Sequence, residues 1–178
     1  IFAKAQQQTD SLEANKSWSS KLKNTVSHWQ NRNTQSGSKR NILAHYDLGN
    51  ELYTRFLDPD MMYSSAIYPH ESASLDEAQQ HKLATICQRL SLNADDHLLE
   101  IGTGWGGLAI YAAQNYGCHV TTTTISDAQH AYAQNRIEKL GLGDKITLLK
   151  KDYRDLNGSF DKVVSIEMIE AVGYDFLP

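Results

Sequence analysis

The chain is poor in cysteine, in unbroken apolar runs and in the spacings that metal ligands need. Of its 178 residues only two are cysteines, Cys87 and Cys118. Both lie in otherwise apolar, helix- and strand-like surroundings, so buried thiols of a cytoplasmic protein are expected rather than a disulfide framework. No apolar stretch reaches membrane-spanning length, and no signal-peptide pattern occurs. The seven histidines form no H-E-x-x-H and the cysteines no C-x-x-C, which leaves no motif for a metal centre. The formal net charge of −4 argues against general nucleic-acid binding.

That charge is unevenly spread. Residues 1–45 carry seven Lys/Arg against two Asp/Glu, and residues 46–178 carry ten against nineteen. A basic arm ahead of an acidic domain suits a solvated tail or contact with anionic lipid head groups. With 40% hydrophobic and 21% charged residues, the chain has enough apolar surface for a core, and its length fits one domain or one domain plus a tail. Residues 1–40 read as the polar arm. Within it Trp18, Leu22, Val26 and Trp29 fall at helical spacing, so residues 16–30 are expected to form an amphipathic helix, packed on a domain or lying on a membrane surface. Residues 31–39 read as a linker. The domain is expected over residues 41–178. The chain starts at Ile1 and stops at Pro178, just after a strand, so it reads as a piece of a longer protein.

What is present centres on residues 97–107, HLLEIGTGWGG. A short apolar strand, 97–101, runs into Gly102, Gly104 and Gly107, a G-x-G-x-x-G with Gly106 added. Residues 108–116 then have the apolar content of a helix on a sheet. Strand, glycine turn and helix make a nucleotide-type binding turn, in which glycine lets a ligand approach the main chain closely. The alternative is a tight turn with no ligand. A dinucleotide site wants an acid roughly 20 residues on, at the end of the second strand. Here Thr121–Thr124 follow without one, and Asp127 falls at the start of the next helix. Glu100, just before the first glycine, is placed to accept hydrogen bonds from a ligand or to face a cation. Both points favour S-adenosyl-L-methionine, a sulfonium, over NAD.

Around this turn the pattern alternates. Residues 41–68 mix Tyr46, Tyr53, Phe56, Tyr63 and Tyr68 with hydroxyls, as an aromatic pocket for a partly apolar ligand would. Asp47 is expected to cap a helix over 48–57, which Asp58-Pro59-Asp60 ends, and Tyr63-Ser64-Ser65 follows in a loop. Ser74 and Glu77 form a capping box for a helix over 74–90. Its apolar face is read as Ala78, Leu83, Ile86, Cys87 and Leu90, with His81 at the surface. A second strand is expected over 118–123. Ser126 caps a helix to about Leu140, stopped by Gly141. A third strand covers 146–149 and a fourth 160–166. The fold class is therefore α/β, a Rossmann-like parallel sheet with flanking helices and right-handed crossovers. Four strand ends converge on the ligand side: 100–106, 124–129, 152–153 and 167–170.

These residues resemble the cyclopropane-fatty-acyl-phospholipid synthases, with the mycolic acid cyclopropane synthases and related lipid methyltransferases. The resemblance runs over about residues 40–178. It is carried by His45-Tyr46-Asp47-Leu48 through Phe56-Leu57-Asp58-Pro59, by Tyr63-Ser64, by Leu99-Glu100-Ile101-Gly102-x-Gly104-Trp105-Gly106-Gly107, and by Ser165-Ile166 through Met168, Glu170 and Val172-Gly173. It implies a methyltransferase of S-adenosyl-L-methionine acting on cis double bonds of phospholipid acyl chains at the inner membrane face, and it allows a homodimer. It implies a cofactor site lined by Tyr63, Ser64, the turn Gly102-Thr103-Gly104-Trp105-Gly106, Thr124, Ile125, Gln129, Asp152 and Tyr153. It further implies that Glu170 helps hold a bicarbonate ion and that Tyr46 lies close to the reacting centre.

The implied chemistry is physically coherent. An alkene attacks the sulfonium methyl, and the carbocation must be kept from water. Aromatic faces such as Tyr46 and Tyr63 stabilise cationic charge. Bicarbonate then serves as the base that removes a proton before ring closure. Three positions depart from the family. Ser65 stands where a cysteine contacts bicarbonate, Ile169-Glu170-Ala171 replaces Phe-Glu-His, and Glu167 replaces a frequent glycine. They put ring closure in question more than cofactor binding. Methylation without ring closure, or a non-catalytic binding module, are the alternative readings. With the later strands missing, the piece alone is expected to be inactive.

Overall fold

The computed structural model describes residues 50–168. Expectations for residues 1–49 and 169–178, among them the helix at 16–30, the Asp47 cap, Tyr46 and Glu170, lie outside the described residues. Within them the apolar runs become four strands: β1 (His97–Ile101), β2 (His119–Thr123), β3 (Ile146–Leu149) and β4 (Lys162–Ser165). The helices are α1 (Asn50–Tyr53), α2 (Leu75–Arg89), α3 (Gly107–Tyr116) and α4 (Asp127–Lys139), with a 3-10 turn at Tyr153–Asp155.

The strands form one parallel sheet in the order β3-β2-β1-β4. β1 is central, and Leu98, Leu99 and Glu100 are all buried there, as a strand covered on both faces requires. Leu83, Leu98, Leu108 and Ile137 are at most 1% exposed and tie helices to sheet. Each such side chain contributes roughly 1.5–3 kcal/mol by leaving water. Cys87 and Cys118 are buried free thiols in this core.

Local signals account for the helix ends. The Ser74 hydroxyl and Glu77 carboxylate close a reciprocal capping box on α2. Ser126 accepts from the Gln129 N–H at the start of α4, and Gly141 stands beyond its end at φ +66°. The helix expected to run to Leu57 stops earlier. Within the described residues it ends at Tyr53 and gives way to turns in which the Arg55, Phe56 and Leu57 N–H groups donate to the Leu52 and Tyr53 carbonyls, after which the Asp58 carboxylate takes the N–H groups of Asp60 and Met62. β4 is also shorter than the expected 160–166.

The order 3-2-1-4 has one consequence for function. The chain steps outward from β1 through β2 to β3, then returns to the other side of β1 as β4. In such sheets the ligand crevice opens outside the carboxyl ends of the strands where the order reverses, here between β1 and β4.

Candidate active site

At that crevice β1 delivers Glu100 and the glycine turn. Gly102, Gly104 and Gly106 have φ of +100°, +54° and +92°, a left-handed run that side-chain-bearing residues rarely adopt. The N–H groups of Gly102 and Thr103 both donate to the Thr123 carbonyl, which fixes the turn to the end of β2. A Cβ on Gly104 would point into open space, whereas one on Gly107 would strike Met62 Sδ and stand 3.2 Å from the Asp60 carbonyl. Gly104 is thus the glycine that leaves room for a ligand, and Gly107 the one that admits the neighbouring segment.

Glu100 is 4% exposed. The Thr122 hydroxyl donates to its Oε2 at 2.6 Å, and the Thr103 and Thr122 hydroxyls are 2.7 Å apart. Burial pushes the Glu100 carboxyl up to about 8, against the Thr122 hydrogen bond, which lowers it. No Lys, Arg or His among the described residues pairs with it. A buried carboxylate with one hydroxyl donor at a ligand turn suits a ligand that brings donors or positive charge.

The end of β2 supplies Thr124, Ile125 and Gln129. Thr124 and Gln129 are buried and joined, the Thr124 hydroxyl donating to Gln129 Oε1 at 3.0 Å. Ile125 is half-buried beside them. Beyond β3, the Asp152 carboxylate is turned to Arg154, which donates from Nε at 2.8 Å and from its backbone N–H at 3.0 Å. Those bonds hold the Asp152 carboxyl below its usual range. The Arg154 guanidinium also lies 5.6 Å over the Tyr153 ring. Asp152 and Tyr153 sit at the ligand end, but their side chains are engaged with Arg154.

A strap, residues 58–65, runs over the same end. Its aromatic contacts begin with Trp105, 2% exposed, whose ring lies 4.8 Å from Tyr53 and 6.5 Å from Tyr63. Tyr53 and Tyr63 meet edge to face at 5.7 Å. The Trp105 indole packs against the strap, while Tyr63, 54% exposed, keeps half its surface open.

Three elements clamp this strap. From α2, the Gln79 amide donates to the Met62 and Ser64 carbonyls, Gln80 donates to the Asp60 carboxylate, and Lys82 Nζ donates to Ser64 Oγ at 2.7 Å and to its carbonyl at 3.2 Å. From α4, Arg136 pairs with the Asp60 carboxylate and donates to the Asp60 and Trp105 carbonyls. From beyond β4, Glu167 Oε1 accepts from the Ser65 N–H at 2.8 Å and from its hydroxyl at 2.5 Å. Glu167 has φ +47°. Its carboxyl is held low first by the Ser65 hydroxyl bond and also by the nearby Lys82 charge. Lys82 is itself buried, and desolvation lowers it while Glu167 and Asp58 pull it back up.

The fold thus gathers Tyr63, Ser64, Ser65, Glu100, residues 102–106, Thr124, Gln129, Asp152 and Tyr153 at one end of the sheet. Sequence reasoning missed Gln79, Lys82 and Arg136. It read the α2 face as apolar, yet Gln79 and Lys82 are buried there. Positions 79, 82 and 86 share one face by helical spacing, and that was the signal available. Arg136 offered none. A cavity of about 250 Å³ lies at the opposite, amino end of the strands, beside Asp95, His119 and Lys145. That is the wrong end of a parallel sheet for the ligand crevice.

Comparison with known proteins finds relatives of this sequence and fold. The family model for mycolic acid cyclopropane synthetase matches residues 32–178. The cyclopropane-fatty-acyl-phospholipid synthase of Escherichia coli (strain K12) is 48% identical over 143 residues, covering 79% of this chain and 36% of that protein. The tuberculostearic acid methyltransferase UfaA1 of Mycobacterium tuberculosis is 41% identical over 148 residues, covering 79% and 34%. Among solved structures, the mycolic acid cyclopropane synthase CmaA1 complexed with SAH and CTAB superposes with a TM-score of 0.74 at 29% identity, over 77% of this chain and 48% of that one. The chain spans about a third of the length of these curated relatives.

Proposed function

Because the chain belongs to the mycolic acid cyclopropane synthetase family, we propose that it is the cofactor-binding part of an enzyme that transfers a one-carbon unit from S-adenosyl-L-methionine to the cis double bond of unsaturated phospholipid acyl chains. The observation that carries this reading is Glu100, a buried carboxylate without a cationic partner among the described residues, set at the head of an open glycine turn. Such a group costs stability unless a ligand answers it.

The described residues fit that cofactor. Glu100 would answer its donors and positive charge, the space at Gly104 admits its approach, and Thr124 and Gln129 present polar atoms at the next strand end. When bound, S-adenosylmethionine supplies an electrophilic methyl group. The chain supplies the rest. The strap brings Tyr63 to the carboxyl end of the sheet, and the open half of Tyr63 offers a ring face to developing positive charge. Phe56, Ile67 and Tyr68, between 39% and 54% exposed, give the same region apolar surface for an acyl chain. A basic arm at residues 1–45 would bring the protein to anionic head groups at the cytoplasmic face of a membrane.

The bicarbonate ion implied by the resemblance fits this chain less well. Ser65, expected to contact it, has both its N–H and its hydroxyl committed to the Glu167 carboxylate. The same pairing favours a second reading, methylation without ring closure, which also accords with the identity to a tuberculostearic acid methyltransferase.

The test is mass spectrometry of phospholipid acyl chains incubated with the full-length protein and methyl-labelled S-adenosylmethionine. A labelled gain of one methylene with loss of the double bond is expected. The same gain with the double bond retained selects the second reading, and no labelled product refutes both.

A further inference from the structure

Resting on the methyl-transfer reading above, we propose that Glu167 is the catalytic base, a carboxylate built into the chain that removes the proton from the methylated acyl chain and makes a free oxyanion unnecessary.

Its position supports this role. Glu167 lies two residues beyond β4, in the crevice between β1 and β4. The Ser165 hydroxyl donates to the Ile101 carbonyl at 3.0 Å, which ties the two strand ends together. Met168 Sδ stands 3.7 Å from the point where a Cβ on Gly102 would be, so the segment bearing Glu167 abuts the first glycine of the turn. On its other side the carboxylate meets Ser65, at the end of the aromatic strap. It therefore sits between the turn expected to hold the methyl donor and the strap that faces the acyl chain.

The way it is held also supports it. A non-glycine residue at φ +47° is strained, and the two Ser65 bonds hold Glu167 there. Both bonds fall on Oε1. Oε2 has no protein partner among the described residues, so it is the oxygen left to take a proton. Lys82, fixed on Ser64, keeps positive charge nearby and favours the ionised carboxylate. An ionised group is what the step needs. A methyl proton whose C–H electrons can be drawn onto a nearby cationic carbon is so acidic that a weak base suffices, and position matters more than basicity. A second anion on the same Ser65 donors would face the charge of Glu167 and find those donors taken.

The step balances as follows. The alkene π pair forms the new carbon–carbon bond to the methyl group as the methyl–sulfur bond breaks, leaving positive charge on the other alkene carbon. Glu167 takes a proton from the transferred methyl. The electron pair of that C–H bond then closes a three-membered ring onto the cationic carbon, or, where a hydride has first shifted from the methylated carbon to the cationic one, becomes a methylene double bond. Glu167, which is exposed, returns the proton to solvent.

The experiment uses full-length protein, wild type and the variants Glu167→Gln and Glu167→Gly. Glycine is at home at φ +47°, and glutamine keeps an oxygen for the Ser65 donors, so both are expected to fold and to bind S-adenosylmethionine within about two-fold of wild type. Turnover of Glu167→Gln should fall about 100-fold or more. Wild type should be indifferent to bicarbonate-free buffer, whereas Glu167→Gly should be inactive there and regain turnover when bicarbonate or formate is added. Independently of turnover, carbon-13 bicarbonate should show line broadening by NMR with Glu167→Gly and none with wild type. Wild-type dependence on bicarbonate, near-normal turnover of Glu167→Gln, or bicarbonate binding to both proteins or to neither would overturn the proposal. If wild type transfers no labelled methyl at all, the methyl-transfer reading itself has failed. The NMR comparison then still decides whether Glu167 occupies an oxyanion position.

Discussion

Glu100 and Thr122, register partners on adjacent parallel strands, meet at 2.6 Å through carboxylate and hydroxyl, and that hydroxyl is the side-chain partner of the Glu100 carboxylate among the described residues. The pairing leaves the Glu100 carboxyl without a charged partner among the described residues. Its carboxyl is raised from 4.5 to about 8. The folded protein keeps a proton that the unfolded chain loses above pH 4.5. The contribution to stability is therefore complete below that pH, declines as pH rises, and is gone above about pH 8. Urea unfolding of the full-length protein between pH 5 and 8 should show wild type losing a few kcal/mol relative to Glu100→Gln, since each pKa unit is worth about 1.4 kcal/mol. Parallel curves would count against it.

Cofactor binding should release that proton. A cationic ligand beside Glu100 favours its ionised form, so the binding heat at pH 7 should differ between buffers of different ionisation heat by an amount approaching one proton per site. Identical heats would mean that Glu100 does not face the ligand.

Gly107 and Gly104 should fail differently. Gly107→Ala drives a methyl group against Met62 and the Asp60 carbonyl. It should cost about 1–3 kcal/mol of stability, partly recovered when Met62 is shortened to Ala. Gly104→Ala meets no atom, and only its φ of +54° resists the change. It should cost about 1 kcal/mol, while cofactor affinity falls far more than stability. Denaturant titration and calorimetry on the same samples separate the two.

Arg136 should behave as a brace. It joins Asp60 to the Trp105 carbonyl through a partly buried fork. Lysine has no planar fork to serve both, so Arg136→Lys should destabilise by about 1–2 kcal/mol and loosen the strap. Loss of near-ultraviolet circular dichroism from the Tyr53–Trp105–Tyr63 cluster is the direct readout.

Lys82→Met keeps the apolar stem and removes the charge. With Lys82 gone, the Glu167 carboxyl should rise, because that charge helps hold it low. If Glu167 is the base, the acid limb of the pH–rate profile moves to higher pH. An unmoved limb would separate Lys82 from the chemistry.

Much of this molecule was legible in the chain. The Ser74–Glu77 box, the 97–101 and 146–149 strands and the glycine turn depend on neighbours a few residues apart, and local backbone preference is enough to specify them. The alternation of strand and helix then implied the parallel sheet, because short connections leave few ways to pack it. The shape of the site was not legible. Ser65 and Glu167 each stood out as a departure from the family pattern, but they are 102 residues apart, and nothing in either stretch says that one satisfies the other. Arg136 and Asp60, 76 residues apart, gave no sign at all. The apolar reading of the α2 face does not single out Lys82, which is buried where the strap lies over α2. Periodicity reports which face is apolar on average. Which polar side chain is drawn into that face depends on the backbone atoms that tertiary packing brings opposite it.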